Sequence, residues 1–392
     1  VSQEYFDQYG GSPARSRHGE RGPGHRGGAR ARNSRGNLRA RGAGRHPRRS
    51  LTIAGLAALT VVAAAAVITI LVSSSGTPPA RPFATLADPG FSIGGVTSVV
   101  FSPNGTTLAT GDSSGSVFLW NRATLARVGA LTDPGSQGVE SVAFSPNGTM
   151  LASGDANNSA FLWDTASGHM IGQITAPTSI TGGGITSLTF SHDGSALATG
   201  DGNQGSTLLW SVATHNLITT LPDPDSVSGG GVYSIAISPD GRTLVAADGD
   251  GSIYLWDIAT GRQITTLTDP HSSGVYSVVF SPSGTTLAAS DGNGNTYLWD
   301  VATRHRIAAF ADPGGKIVDS VAVSRNGTLL ATGDRNGSAY IWKVAGSQAT
   351  PVATLPDPDG KAVNAIAFSP NGTTLAVSDA GGRTSLWAVG EG

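Results

Sequence analysis

Residues 96–121 read VTSVVFSPNGTTLATGDSSGSVFLWN. The pattern returns six more times, and each copy ends on a tryptophan. Trp120, Trp163, Trp210, Trp256, Trp299, Trp342 and Trp387 are all seven tryptophans of the chain, at intervals of 43, 47, 46, 43, 43 and 45 residues. A period of that size marks a repeat architecture, in which one unit buries its apolar face only by packing on its neighbours.

One unit predicts four short strands. The first is expected over 96–101, a β-branched run apolar enough to be buried on both faces. Ser102-Pro103-Asn104-Gly105 then turns the chain: proline presets φ for the turn, and glycine accepts the positive φ a tight hairpin needs. A second strand is expected over 107–111 and a third over 116–120. Between them lies a turn that reads Asp250-Gly251, Asn293-Gly294 or Asn336-Gly337 in other copies. A shorter fourth strand is expected over 128–131. Arg127 flanks it and Asp133-Pro134 stops it, and charge and proline are devices that protect a sheet edge.

The FSPNG turn at Phe144–Gly148, the LASG strand at Leu151–Gly154 and the LWD ending at Leu162–Asp164 resemble the WD40 family. The resemblance covers about residues 82–391 and implies an all-β, seven-bladed propeller over 83–391. One departure stands out. The family places Gly-His before the first strand, and that His joins a hydrogen-bonded set with Ser or Thr, Asp and Trp. This chain has Asp-Pro at 88, 133, 223, 269, 312 and 357, and Ala176-Pro177 in the remaining copy. The network therefore cannot form as the family forms it. A lone fourth-strand sequence, FATLADP at 83–89, nearly copies VATLPDP at 352–358, while only five residues follow Trp387. The first strand of the domain is thus expected to complete the last blade.

The rest of the chain is different in kind. Residues 1–50 carry 12 Arg against three acids, are rich in Gly, and are expected to be a disordered basic tail. Residues 51–72 are 22 residues without a charge, long enough as a helix to span about 33 Å, which predicts a transmembrane signal anchor. Arg45, Arg48 and Arg49 precede this run and only Arg81 soon follows it. The expected topology is a single-pass membrane protein with a cytoplasmic N-terminus and an extracytoplasmic propeller on a linker, residues 73–82. Charge divides the same way, from +9 over 1–50 to −11 over 73–392. The basic tail suits contact with anionic lipid and lacks the interleaved aromatic residues of a nucleic-acid binder. Arg outnumbers Lys 22 to 3, which fits a bacterial, high-GC source.

The chain has no cysteine, so disulfides and thiolate metal sites are excluded. It contains no G-x-S-x-G, H-E-x-x-H or phosphate-loop pattern, and its loop histidines share no ligand spacing; no enzyme activity, cofactor or metal is expected. Asp112, Asp155, Asp201, Asp248, Asp291, Asp334 and Asp379 recur once per copy. A carboxylate opening a tight turn accepts backbone N–H bonds; the alternative is an acidic ring for a cation or a basic partner. By resemblance, the second residue of each first strand sits at the channel mouth and contacts peptides. Those residues are Thr97, Glu140, Thr186, Tyr233, Tyr276, Asp319 and Asn364, with Arg335 on the adjacent rim. This row varies while its neighbours barely do. Two tyrosines offer the residue type enriched at binding hot spots, and Glu140 and Asp319 offer charge to a Lys or Arg. The expected function is a non-catalytic, membrane-tethered interaction scaffold binding a protein or peptide, basic in character, at an acidic face. A second reading is the extracytoplasmic sensor or ligand-binding domain of a signalling protein of kinase-receptor type, although residues 1–50 are too few for a kinase.

Overall fold

The computed structural model describes residues 80–88, 95–135, 138–176, 183–203, 205–222, 224, 230–268 and 273–390. The basic tail and the apolar run 51–72 lie outside the described residues, among which no helix is long and apolar enough to cross a membrane.

The alternation of β-branched runs with Gly, Asn and Pro turns produces antiparallel hairpins. The first blade orders β2 (Val96–Phe101), β3 (Thr107–Asp112), β4 (Ser116–Asn121) and β5 (Arg127–Thr132) side by side. Five more four-stranded sheets repeat this with β6–β9 (139–175), β10–β13 (185–222), β14–β17 (232–268), β18–β21 (275–311) and β22–β25 (318–356). The seventh joins β26 (Val363–Phe368), β27 (Thr374–Asp379) and β28 (Arg383–Ala388) to β1 (Ala84–Ala87), which pairs Ala84 with Leu386 and Ala87 with Arg383. The strand laid down first closes the last blade, as expected. First strands are neighbours all the way round, β2 against β6 and finally β26 against β2.

Seven apolar clusters hold the ring, and each straddles two blades. Val117, Leu119 and Leu131 of the first blade, for example, pack with Val139, Val142, Phe161 and Trp163 of the second. A blade therefore has no complete core of its own. Close approach requires small residues on the second strands: a Cβ at Gly111 would lie 2.7 Å from Val139 Cγ1, and one at Gly333 would lie 2.5 Å from Val363 Cγ1.

Two expectations need correction. First strands are not buried on both faces: Val96, Val99 and Phe101 are buried, while Thr97, Ser98 and Val100 are half-buried. The strand has a sheet partner on one side only, and its other edge faces the centre of the ring. Apart from the four-residue β1, fourth strands run six to nine residues rather than four, yet mostly one side chain each, such as Leu131 or Ile174, is buried.

The free edge of six of the seven first strands is blunted by a serine from the preceding blade. Ser98 Oγ accepts the Val142 N–H at 3.1 Å, and Ser141, Ser187, Ser234, Ser277 and Ser320 do the same for Leu188, Ile235, Val278, Val321 and Ile366. The seventh blade has Ala365 at this position, so the closing seam lacks the bond. Replacing Ala365 by Ser is expected to add one net hydrogen bond, about 1 kcal/mol, and to raise Tm by about 2 °C. Parallel melts of Ala365→Ser and Ser320→Ala check this; two unchanged transitions would mean that the serines contribute nothing.

The tryptophan network departs from the expectation in part. Trp120, Trp163, Trp210 and Trp342 donate their indole N–H to Thr110, Ser153, Thr199 and Thr332 at 2.9–3.0 Å. In the sixth blade the chain continues, since Thr332 Oγ1 donates to Asp312 Oδ1 at 3.0 Å. An Asp-Pro aspartate thus accepts the hydroxyl's hydrogen bond in a blade that lacks the family's His. The fourth, fifth and seventh blades have Ala246, Ala289 and Val377 where the hydroxyl would stand, and the buried Trp299 and Trp387 N–H groups meet no acceptor among the described residues.

Candidate functional site

Turns between second and third strands share the upper face with the connections from one blade to the next. The Ser113 N–H donates to Gly95 C=O, and the Asp133 N–H to Gly115 C=O. The other turns form the lower face, where the Arg122 N–H donates to Thr106 C=O at 2.9 Å.

All seven recurrent aspartates are buried in the upper turns, between 0% and 4% exposed. Asp112 Oδ1 accepts the N–H groups of Ser114 and Ser116 at 3.0 and 2.8 Å, and Asp155, Asp291, Asp334 and Asp379 repeat this on their own turns. These carboxylates close hairpins and point inward. Among the described residues, no group of three or more His, Asp or Glu side chains is placed to hold a metal ion.

The row at the channel mouth owes its position to a bulge. In the first blade the register passes from Val96↔Asp112 to Ser98↔Gly111, so Thr97 has no partner across the sheet, and all seven blades share the irregularity. A bulge re-aims the extra side chain. Three bulge residues latch one blade to the next: Thr97 Oγ1 donates to Val139 C=O, Thr186 Oγ1 to Val232 C=O, and Asn364 Nδ2 to Val96 C=O at 3.0 Å across the closing seam. Asn364, read from the sequence as a contact for a partner, therefore ties the ring.

The other four bulge residues are Glu140, Tyr233, Tyr276 and Asp319. Tyr233 and Tyr276, on adjacent blades, stack with ring centroids 5.2 Å apart and planes tilted 33°. The Arg335 guanidinium lies 5.5 Å from the centre of the Tyr276 ring and forms a two-pronged ion pair with Asp319, at 2.8 and 3.0 Å. The structure thus joins Tyr233, Tyr276, Asp319 and Arg335 into one cluster over the fourth to sixth blades. Asp319 is not an open acceptor, because Arg335 already occupies it. Glu140 stands in the second blade, away from this cluster. Burial, with help from Asp155, pushes its carboxyl above the usual range. Burial also raises the Tyr233 and Tyr276 hydroxyls and outweighs Arg335 at Asp319.

The latches and the serine ring escaped the reading of the sequence. Their signal was present as a serine in six copies with Ala365 in the seventh. On the lower face a cavity of about 450 Å³ opens between the turns at 324–326 and 370–372. There Arg325 replaces the residue that elsewhere, as Pro103 does beside Gly148, packs against the next turn.

No curated protein matches the chain. Among 1927 matching chains of solved structures, one from a crystal structure of a mitotic checkpoint complex is 22% identical. It covers 80% of this chain and 93% of that one, with a TM-score of 0.69, a likeness that concerns the fold alone. The pattern of the WD domain, G-beta repeat family matches 89–121, 127–164, 173–211, 216–257, 261–300, 307–343 and 349–388, one match for each tryptophan. Seven such matches on seven sheets of four strands make this chain a member of the WD40 family.

Proposed function

We propose that this protein is a non-catalytic, membrane-tethered scaffold whose propeller binds a basic segment of a protein partner at the upper mouth of its channel. In this reading residues 51–72 anchor the chain, residues 1–50 lie in the cytoplasm beside anionic lipid, and the propeller is extracytoplasmic. WD40 propellers are in general interaction scaffolds without catalytic groups, and the checkpoint-complex structure is a propeller of the same fold within an assembly. The observation that carries the reading is the division of labour among the bulge residues. Thr97, Thr186 and Asn364 bond the next blade, whereas the Tyr233–Tyr276 stack beside the Arg335–Asp319 pair, and the Glu140 carboxyl, are left to form the aromatic and acceptor surface of the mouth.

The test is affinity capture with the full chain in detergent, beside a Tyr233→Ala/Tyr276→Ala/Glu140→Gln variant. Losing two stacked anchors is expected to weaken capture by about 30-fold or more, at 2 kcal/mol or above for a hot-spot residue. Binding should also weaken with salt. Recovery of the same proteins by both chains would remove the mouth from consideration.

A further inference from the structure

The lower face differs from the upper in charge, apolar exposure and position along the chain. Among the described residues the lower face carries nine Arg and Lys side chains against Asp164, Asp193, Asp240, Asp257 and Asp300, which is +4. The upper carries Lys316, Arg335, Lys361 and Arg383 against fifteen acids, which is −11. The lower rim is also unusually apolar. Fourth strands carry their own bulge, since the register passes from Leu119↔Gly129 to Trp120↔Arg127 and skips Val128. Val128 is thrown outward and is 61% exposed; Ile171, Ile218 and Val352, at the same step of their blades, are 49%, 56% and 57% exposed. Arg262 and Arg304 stand exposed beside this band, whereas the Arg127 and Arg306 guanidinium groups lie 5.4 and 5.2 Å from the centres of the Phe118 and Tyr297 rings of their own sheets.

The chain also enters here. β1 runs upward, as every fourth strand does, so Arg81 and the 56%-exposed Phe83 lie at the lower rim. Seven residues separate Ala80 from Val72, the end of the uncharged run. Fully extended they reach at most about 25 Å.

We propose that the lower rim is a docking surface for an anionic bilayer, the one that residues 51–72 enter; the inference rests on the tether in the preceding reading. Exposed aliphatic side chains beside arginines suit the boundary between headgroups and acyl chains, where the apolar part is buried and the guanidinium meets phosphate. The acidic upper face is repelled from the same surface, and the tyrosine cluster is held away from the lipid.

The absence of cysteine allows a direct test. The full chain is reconstituted into phosphatidylcholine vesicles with or without phosphatidylglycerol, carrying one fluorophore at Val128→Cys, Ile218→Cys or, on the upper face, Ser114→Cys. A quencher attached to lipid is expected to dim the two lower labels in anionic vesicles and leave Ser114→Cys bright. Arg81→Glu and Arg262→Glu should each weaken docking roughly fivefold. Equal quenching on both faces overturns the proposal. So do unquenched lower labels on a chain that resists alkaline extraction, which leaves the tether intact. A chain that alkaline extraction removes from the vesicles overturns the tether and the docking together.

Discussion

Deleting residues 80–88 will abolish the cooperative unfolding transition of the propeller or lower its Tm by well over 10 °C. These residues supply the whole outer strand of the seventh blade. Ala84 to Ala87 pair with β28, the Phe83 N–H bonds Leu386 C=O at 2.9 Å, and the Asp88 N–H bonds Gly382 C=O at 3.0 Å. Leu86, 5% exposed, sits in the cluster that joins the seventh blade to the first, with Val99, Phe101, Leu108, Phe118 and Trp120. Truncating such a leucine to alanine alone costs about 2–5 kcal/mol, against about 5–15 kcal/mol for a whole domain. Removing the strand also bares the β28 edge to other chains. The closing seam has little reserve, since Ala365 omits the serine bond found at the other six. Calorimetry and size-exclusion chromatography of the deletion beside Leu86→Ala check this. A deletion that melts with the wild type would mean that the ring does not depend on its closure.

The second large effect is on pH. Burial pushes the carboxyls of Asp88 and Asp312 up to about 7 and that of Asp379 to about 6; Asp112 adds to the first, Asp334 to the second and Asp357 to the third. A carboxyl whose folded pKa is raised binds its proton more tightly in the native state. Its contribution is therefore complete below about pH 4 and is lost as pH rises through 6 and 7. Asp164, Asp193, Asp240, Asp257 and Asp300 act oppositely. Held low by hydroxyl and backbone donors, with Asp193 at about 2, they lose their contribution as pH falls below about 4. Stability should peak near pH 4. Asp312→Asn keeps an acceptor for Thr332 and cannot ionise. It should be nearly neutral at pH 4 and stabilising at pH 8, on the order of 1 kcal/mol after allowance for solvent screening. Melts at the two pH values decide. An equal loss at both would show that the sixth blade needs the carboxylate charged.

The sequence by itself determined the blade count, the strand order within a blade and the closure by β1. Each follows from local chemistry: turn residues at fixed steps, apolar alternation, and a displaced copy of one strand. It also picked out the row from Thr97 to Asn364 and the neighbouring Arg335, because variation stands out against a repeated background. The tertiary structure decided how those residues divide. Thr97 and Thr186 resemble any half-exposed strand threonine until the next blade brings Val139 C=O and Val232 C=O within reach. Asp319 and Arg335 are 16 residues apart, and only the hairpin between them and the bulge beneath Asp319 turn two separate charges into one pair. The sequence offered two readings of the recurrent aspartates, acceptors of backbone N–H groups in tight turns or an acidic ring; folding takes the first and turns them inward onto their own backbone amides. Composition fixes how many charges a face owns, but only packing sets which of them water and a partner can reach.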